Sequence, residues 1–169
     1  MASFSDEDLK RYMNMCIYLA RETSRGIKKP FVGSLVLSKE ENIVGIGSKS
    51  MLDNTSYLIH AERNALMYAG ELARGGTLFT TLEPCVKVRD NQVFNPCAEL
   101  IVKGGIETVV IAIEDSSPKV RGGGFMYLRK HGLKVILYDK LNQAQENLIS
   151  YRYYRDYKNL MDLNNQYRV

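Results

Sequence analysis

The spacing of apolar positions near the start of the chain predicts an amphipathic helix in the stretch SDEDLKRYMNMCIYLARET. Ser5 is a candidate N-cap, and Asp8 gives a capping box with Asp in place of the usual Glu or Gln. Apolar residues then recur at helical spacing, namely Leu9, Met13, Cys16, Ile17 and Ala20. Because Cys16 lies on this apolar face, we interpret it as a core residue and not as a metal ligand.

A β-hairpin is predicted next. The β-branched run FVGSLVLS and the run IVGIG flank the charged turn KEEN, a pattern typical of two antiparallel strands. The stretch that follows, SKSMLDNTSYLI, is interpreted as a polar loop that ends in a short apolar segment.

Helical and strand patterns alternate along the rest of the chain. HAERNALMYAGELARGG predicts a helix that ends at Gly75–Gly76. One side of this helix is apolar and consists of Ala61, Ala65, Leu66, Ala69 and Leu72. The later predicted elements are three strands, TLFTTLEP, TVVIAIED and LKVILYD, two short helices, CAELIVKGG and GFMYLRKHG, and a long C-terminal helix over about 141–165.

This order of elements defines the predicted fold class. Helices between the later strands imply right-handed crossovers and a parallel arrangement beside the antiparallel hairpin. The strand TVVIAIED is almost wholly apolar, as expected when both faces of a sheet are covered. We therefore predict one α/β domain over residues 1–169, with three α/β/α layers.

Composition restricts the class of protein only a little further. A chain of 169 residues with 45% hydrophobic and 25% charged residues is ordinary for a globular domain. The net charge of +4 permits a phosphorylated substrate and does not indicate nucleic-acid binding. The N-terminus lacks a signal-peptide pattern, and no apolar run reaches the roughly 18 residues of a membrane span. Three cysteines suggest reduced thiols or metal ligands, so we expect a cytoplasmic protein.

Residues able to carry chemistry concentrate in HAE at 60–62 and in two Pro-Cys steps at 84–85 and 96–97. All three are predicted in the first turn of a helix, where backbone N–H groups favour negative charge and lower the pKa of a thiol. One imidazole and two thiolates with an open fourth position describe a catalytic zinc site, with His60, Cys85 and Cys97 as ligands. Zinc brings the pKa of a bound water to about 7. Glu62 is then placed to take the proton and return it to a leaving amine.

Each of these residues also has a structural explanation. A histidine at a helix start is often a cap, a cysteine is usually core, and the helix dipole alone favours a glutamate in the first turn. Their joint occurrence favours the zinc site. A zinc-bound scaffold without turnover is the remaining alternative, and it would not need Glu62.

The pattern H-x-E…P-C-x-x-C marks zinc nucleobase deaminases. This chain has eleven residues between Cys85 and Cys97 where that pattern has two. The eleven residues, VKVRDNQVFNP, must therefore leave the site and return the second thiolate to the metal. We call this segment, residues 86–96, the spacer.

Over roughly residues 9 to 140 the chain resembles the pyrimidine deaminases of riboflavin biosynthesis, in the cytidine and deoxycytidylate deaminase superfamily. TLEPCVKVRDNQVFNPCAELIV is similar to that family's TLEPCSH…PPCAEAII, and PKVRGGG is similar to its P-x-V-x-GxG. The resemblance implies a cytidine-deaminase-like fold with a five-stranded mixed sheet and one Zn²⁺ held by His60, Cys85 and Cys97. It also implies that Glu62 transfers protons while a diaminopyrimidinone ribosyl or ribityl phosphate loses its C2 amine. A stand-alone deaminase that works with a separate reductase is expected.

Other substrates stay open at this point. Asn64 stands where the riboflavin enzymes usually have a second histidine, and H-A-E-x-N-A also occurs in deoxycytidylate deaminases. The alternatives are a nucleoside or nucleotide deaminase acting on cytidine-, deoxycytidylate- or guanine-type rings, and a tRNA adenosine deaminase. The long spacer and the mild charge disfavour an RNA substrate.

Substrate contacts outside the zinc motif are predicted at five positions. Backbone N–H groups of the glycine-rich loop could hold a phosphate together with basic side chains, and ordinary solvated charge explains these side chains equally well. The candidates are Asn64, Lys87, Arg89, Lys119 and Arg121.

The C-terminal stretch mixes tyrosine with arginine. Base stacking beside phosphate contacts would suit single-stranded nucleic acid. The helical spacing of Leu148, Tyr151, Arg155, Lys158 and Asp162 instead favours an amphipathic packing or subunit helix. Relatives of this fold commonly form dimers or tetramers, so a homo-oligomer is expected, with no membrane partner.

Overall fold

The structure is a computed structural model that describes residues 3–23, 27, 30–52, 57–87, 93–117 and 119–149. The described helices are α1 (Asp6–Arg21), α2 (Ala61–Ala69), α3 (Cys97–Lys103), α4 (Gly123–Lys130) and α5 (Gln143–Ile149), with a 3₁₀ turn at Gly70–Ala73. The strands are β1 (Gly33–Leu37), β2 (Ile43–Ser48), β3 (Ser50–Met51), β4 (Leu58–Ile59), β5 (Thr77–Leu82), β6 (Thr108–Ile113) and β7 (Lys134–Leu137).

Five strands form one mixed sheet in the order β2-β1-β5-β6-β7. β1 pairs antiparallel with both β2 and β5, whereas β5, β6 and β7 are parallel to one another. The predicted hairpin and the parallel later strands are confirmed. The predicted polar loop between them also contains a small antiparallel ladder of β3 and β4. Strands of two residues have no readable hydrophobic period, so the sequence pattern could not reveal this ladder.

The core lies on both faces of the sheet, because neighbouring strand residues point to opposite sides. Leu35 and Leu37 of β1 pack in one cluster with α1 and α5, whereas Val36 packs in the other with α2, α3 and α4. The five-stranded sheet therefore lies between two helical layers, which confirms the predicted three-layer α/β/α arrangement.

Helix α1 begins as its sequence predicts. The Asp8 N–H donates to Ser5 Oγ, and the Ser5 N–H donates to Asp8 Oδ2, both over 3.2 Å. These two bonds form the predicted capping box. Cys16 is fully buried on the inner face of the helix, so its assignment to the core is confirmed.

Two glycines of β2 allow helix α2 to lie directly on the sheet. A Cβ added at Gly45 would collide with the carbonyl oxygen of Ala65, and one added at Gly47 would collide with that of Ala61. Ala61 is the first residue of α2. The close approach at Gly47 therefore fixes where this helix begins relative to the sheet.

One detail of the predicted helices is wrong. α2 ends at Ala69, and the 3₁₀ turn that follows changes the angular spacing, so Leu72 is 64% exposed and does not lie on the buried side. α5 begins at Gln143, two residues after the approximate predicted start, and the side chain of Asn142 caps the N–H of Gln145. Ile149 is fully buried, which agrees with a packing role for the start of this helix.

The predictions for Tyr151, Arg155, Lys158 and Asp162, and for a helix continuing to about residue 165, lie outside the described residues. Within the described residues, no helix combines the length and the apolar character that a membrane span requires.

Candidate metal centre and active site

His60 lies between strand β4 and helix α2. It is the N-cap residue of α2 and has extended backbone angles, with φ −75° and ψ 152°. Its carbonyl oxygen accepts a hydrogen bond from the N–H of Asn64, while its imidazole makes no capping bond to the helix. The ring is therefore available to a ligand.

Cys85 follows strand β5, and Cys97 begins helix α3. Cys97 is the first residue of α3, as predicted, and Pro96 is its N-cap. Cys85 follows β5 in residues 83–87, which are not helical, so its predicted place in a first helical turn is wrong. Its hydrogen bonds come instead from the start of α3. The N–H of Cys97 donates to Cys85 Sγ over 3.3 Å, and the N–H of Ala98 donates to the Cys85 carbonyl oxygen over 3.1 Å.

These three residues converge in space. His60 Nδ1 lies 3.5 Å from Cys85 Sγ and 3.5 Å from Cys97 Sγ. All ligand atoms of the group lie within 4.8 Å of one another. A tetrahedral zinc ion with usual Zn–N and Zn–S bond lengths would place nitrogen and sulfur about 3.5 to 3.6 Å apart. The donor set and its distances therefore fit such an ion.

The two thiols titrate very differently. The Cys97 thiol, which donates to Cys85, lowers the pKa of Cys85 to about 4, and His60 acts in the same direction. The pKa of Cys97 is raised well above its usual value by its bond to Cys85 and by burial. The bond from Cys97 thus favours the thiolate form of Cys85, which is the form that binds a cation.

Glu62 lies in the first turn of α2, two residues after His60. The residue is 3% exposed, and burial raises the pKa of its carboxyl to about 7, while the nearby His60 opposes this shift. Glu62 shares a pocket with two of the three candidate ligands, His60 and Cys85. The structure thus places a carboxyl group that can hold or release a proton near neutral pH beside the candidate metal centre.

The other residues that line this pocket are Pro30, Val32, Lys49, Leu82, Glu83 and Asp115. Three of them, Lys49, Glu83 and Asp115, are ionisable and buried, and they are not among the site residues predicted from the sequence. Lys49 is 5% exposed, its Nζ donates to the carbonyl oxygen of Pro30 over 3.2 Å, and burial lowers its pKa.

Glu83, directly after β5, connects the end of β5 to the segment after β6 and to the start of α4 through hydrogen bonds. Its Oε2 accepts hydrogen bonds from the N–H groups of Asp115 and Gly122, both over 3.0 Å. Its Oε1 accepts from Gly124 over 2.8 Å and from Phe125 over 3.3 Å. Gly122, the N-cap of α4, has no side chain to cap that helix, so Glu83 supplies the acceptors.

One sequence signal could have identified Glu83 and Asp115. Each is an acidic residue just after a strand that is apolar or buried along its length, β5 and β6. These strands are parallel, and ligands of open α/β sheets bind at the carboxyl ends of parallel strands. No comparable signal distinguishes Lys49.

The pocket does not include the predicted substrate contacts that the structure describes. Asn64 donates both amide hydrogens to Ser48 and Ser50, and it thereby holds the junction of β2 and β3. Lys87, Lys119 and Arg121 are exposed, and Arg121 lies 3.5 Å from Glu114. Arg89 lies outside the described residues. These contacts stay predictions.

Comparison with known proteins agrees with this geometry. Residues 6–113 match the model of the cytidine and deoxycytidylate deaminase zinc-binding region. The riboflavin biosynthesis protein RibD of Bacillus amyloliquefaciens is 40% identical over 136 residues, which is 80% of this chain and 34% of that protein. The diaminohydroxyphosphoribosylamino-pyrimidine deaminase of Buchnera aphidicola from Acyrthosiphon pisum is 42% identical over 106 residues, 63% of this chain and 67% of that protein.

A solved structure of a similar deaminase has the same fold as this chain. The diaminohydroxyphosphoribosylaminopyrimidine deaminase/5-amino-6-(5-phosphoribosylamino)uracil reductase of Thermotoga maritima superimposes with a TM-score of 0.68 and 34% identity, covering 83% of this chain and 39% of that one. The chain thus spans about a third of the RibD protein and of this bifunctional enzyme. It belongs to the cytidine and deoxycytidylate deaminase zinc-binding family, and the predicted resemblance to the riboflavin deaminases is confirmed.

Proposed function

We propose that this protein is a zinc-dependent deaminase and that its substrate is the diaminopyrimidinone ribosyl or ribityl phosphate of riboflavin biosynthesis. The observation that carries the proposal is the convergence of His60, Cys85 and Cys97 beside the buried carboxyl of Glu62. The substrate class follows from the names of the relatives at 40% and 42% identity.

His60, Cys85 and Cys97 would hold the zinc ion through one nitrogen and two sulfurs. When bound, zinc supplies a Lewis acid that lowers the pKa of water to about 7. Three protein ligands leave a fourth position for that water, as in catalytic and not structural zinc sites.

Glu62 moves the protons of the reaction. Its carboxylate takes a proton from the attacking water and delivers it to the ring nitrogen next to the reacting carbon. A second transfer through the same carboxyl protonates the departing amine, which leaves as ammonia. Val32 and Leu82 line the pocket with apolar side chains, and such a lining strengthens the electrostatic contribution of the site.

Ammonia release from a panel of substrates tests the proposal. The panel contains the diaminopyrimidinone ribosyl and ribityl phosphates, cytidine 5′-monophosphate, deoxycytidylate, guanine and a tRNA anticodon stem. Fastest turnover of a diaminopyrimidinone is expected. Preference for any other member would replace the proposed substrate.

Two variants test the roles of the site residues. Glu62→Gln should retain one zinc per chain and the wild-type fold while losing turnover, and substantial residual activity would refute the proton-transfer role. Cys85→Ser should lose stoichiometric zinc, measured by elemental analysis of the purified protein. A wild-type protein without stoichiometric zinc would remove the proposal altogether.

Assembly and location follow as predictions from the same proposal. We expect a homodimer or homotetramer by analytical ultracentrifugation, no salt-sensitive binding of RNA in a gel-shift titration, and a cytoplasmic protein.

A further inference from the structure

A group of side chains beside the metal centre joins helix α2 to the end of the spacer. Arg63 lies in the first turn of α2, directly after Glu62, and is half-buried. Its Nη2 donates a hydrogen bond to the carbonyl oxygen of Asn95 over 2.6 Å, and its guanidinium carbon lies 5.0 Å from the ring centre of Phe94. One charged side chain of α2 therefore contacts two consecutive residues of the spacer.

The ring of Phe94 also contacts the segment that leads to His60. Tyr57 and Phe94 meet edge to face, with ring centres 6.0 Å apart and an angle of 80° between the ring planes. Tyr57 directly precedes strand β4, and His60 directly follows that strand. Edge-to-face rings at this spacing attract each other, and so does a cation within about 6 Å of a ring centre. We call Tyr57, Arg63, Phe94 and Asn95 the clasp.

The clasp connects the two sides of the metal centre. Asn95 is two residues before Cys97, and Arg63 is three residues after His60. The hydrogen bonds from the start of α3 to Cys85 fix the two cysteines relative to each other, but these bonds do not involve His60. The clasp joins the spacer end to α2, and the N-cap of α2 is His60. It therefore acts on the distance between the imidazole and the second thiolate.

Core packing restrains a different part of α3. Ala98 and Ile101 are fully buried in one cluster with Ala65 of α2, and this packing fixes the bodies of the two helices. Pro96 is the N-cap of α3, so the residues before it lie outside the helix and are not restrained by its repeating hydrogen bonds. Contacts from outside the helix must therefore fix this segment, and the bond to Asn95 is such a contact.

We propose that Arg63 is a positioning residue of the metal centre. By holding the spacer end against α2, it keeps Cys97 in place to share a zinc ion with His60. This inference rests on the proposed zinc site. Residues that orient metal ligands without touching the ion change metal affinity by about 10- to 100-fold when they are replaced.

The test measures zinc affinity by competition with a chromogenic chelator. Arg63→Met keeps an apolar stem and removes both the hydrogen-bond donor and the cation. We expect this variant to bind zinc at least about tenfold more weakly than wild type, and unchanged affinity would overturn the inference. The matched control is Arg74→Met, which removes an exposed guanidinium bonded to Glu71 after the far end of α2. The control should leave zinc affinity unchanged.

A second variant separates the contacts of Arg63 from its charge, because a positive charge near thiolates favours zinc binding even without the clasp. Phe94→Leu leaves every charge in place and removes the ring that Arg63 and Tyr57 contact. We expect it to weaken zinc binding about threefold in the wild-type background. The loss should be smaller beside Arg63→Met, since both changes break the same contact. Wild-type affinity in Phe94→Leu, or equal losses in both backgrounds, would assign the effect to charge and overturn the inference.

Urea unfolding distinguishes positioning from a general loss of stability. With excess chelator, Arg63→Met and wild type should unfold at the same midpoint, because the bond to Asn95 is exposed and contributes little to the zinc-free fold. At a fixed concentration of free zinc, the midpoint of the variant should fall below that of wild type, since weaker binding stabilises the fold less. An equal decrease with and without zinc would show a structural role and overturn the inference.

These measurements do not depend on the substrate. If the wild-type protein deaminates a different ring and Arg63→Met still loses zinc affinity, the proposed substrate is rejected and the role of Arg63 is retained. If the wild-type protein binds no stoichiometric zinc, both the proposed function and the role of Arg63 are rejected.

Discussion

The carboxylate of Glu83 offers a direct test of how the active site is held together. Glu83 is 2% exposed and accepts four backbone hydrogen bonds, two on each oxygen. In Glu83→Gln one of these oxygens becomes an NH₂ group. Whichever way the amide turns, two backbone N–H groups lose their acceptor and face a donor.

The expected cost follows from these bonds. A hydrogen bond to a charged group contributes about 1.5–3 kcal/mol, and a buried donor left unpaired loses its solvation as well. Two lost bonds therefore predict a decrease of at least about 3 kcal/mol in the free energy of unfolding, from a total of about 5–15 kcal/mol for an ordinary domain. For a domain of this size that corresponds to a decrease in Tm of about 6–12 °C.

The assay is equilibrium unfolding in urea, followed by circular dichroism at a fixed concentration of free zinc. Glu107→Gln is the control, because its exposed side chain, just before β6, should change stability by less than about 0.5 kcal/mol. A loss below about 1 kcal/mol in Glu83→Gln would show that α4 and the loop after β6 do not depend on this carboxylate.

Four further outcomes are expected. Gly47→Ala should destabilise the protein by more than about 2 kcal/mol in urea, because the new Cβ meets the backbone of Ala61, and it should weaken zinc affinity by displacing His60. Ser5→Ala should cost about 1 kcal/mol in the same assay through loss of the N-cap bond, with zinc affinity unchanged. A chelator should lower Tm, and added zinc should restore it in a concentration-dependent way, because the ion binds the folded protein preferentially. Arg121→Ala should raise KM for a phosphorylated substrate and not for its dephosphorylated analogue. Equal effects on both substrates would show that Arg121 does not contact the phosphate.

The fold could be predicted well because its helices and strands carry strong hydrophobic periods. The buried face of α1 follows from apolar spacing, the hairpin from two β-branched runs around a charged turn, and the parallel strands from the helices between them. The ladder of β3 and β4 and the exposure of Leu72 could not be predicted, since a two-residue pairing and a change to 3₁₀ geometry depend on tertiary packing.

The site was predictable where a motif combines several residue types. His60, Glu62, Cys85 and Cys97 belong to such a motif, and the structure brings the three ligand residues together beside Glu62. Glu83 and Asp115 belong to no such motif, and their place in the pocket arises from burial that only the packed β5–β6 edge creates. The helical position predicted for Cys85 was wrong because a Pro-Cys step also suits a strand that ends in a loop.

The hydrogen bonds between Cys85 and the start of α3 have a consequence for how this site tolerates sequence change. They join the two ends of the spacer at its base, so the distance between the sulfurs does not depend on how many residues lie between them. Lengthening a loop whose ends are already fixed costs little entropy, about 0.6 kcal/mol for each doubling. Insertions and deletions can therefore accumulate in this one segment over evolution, and new recognition surfaces can arise beside an unaltered reaction centre.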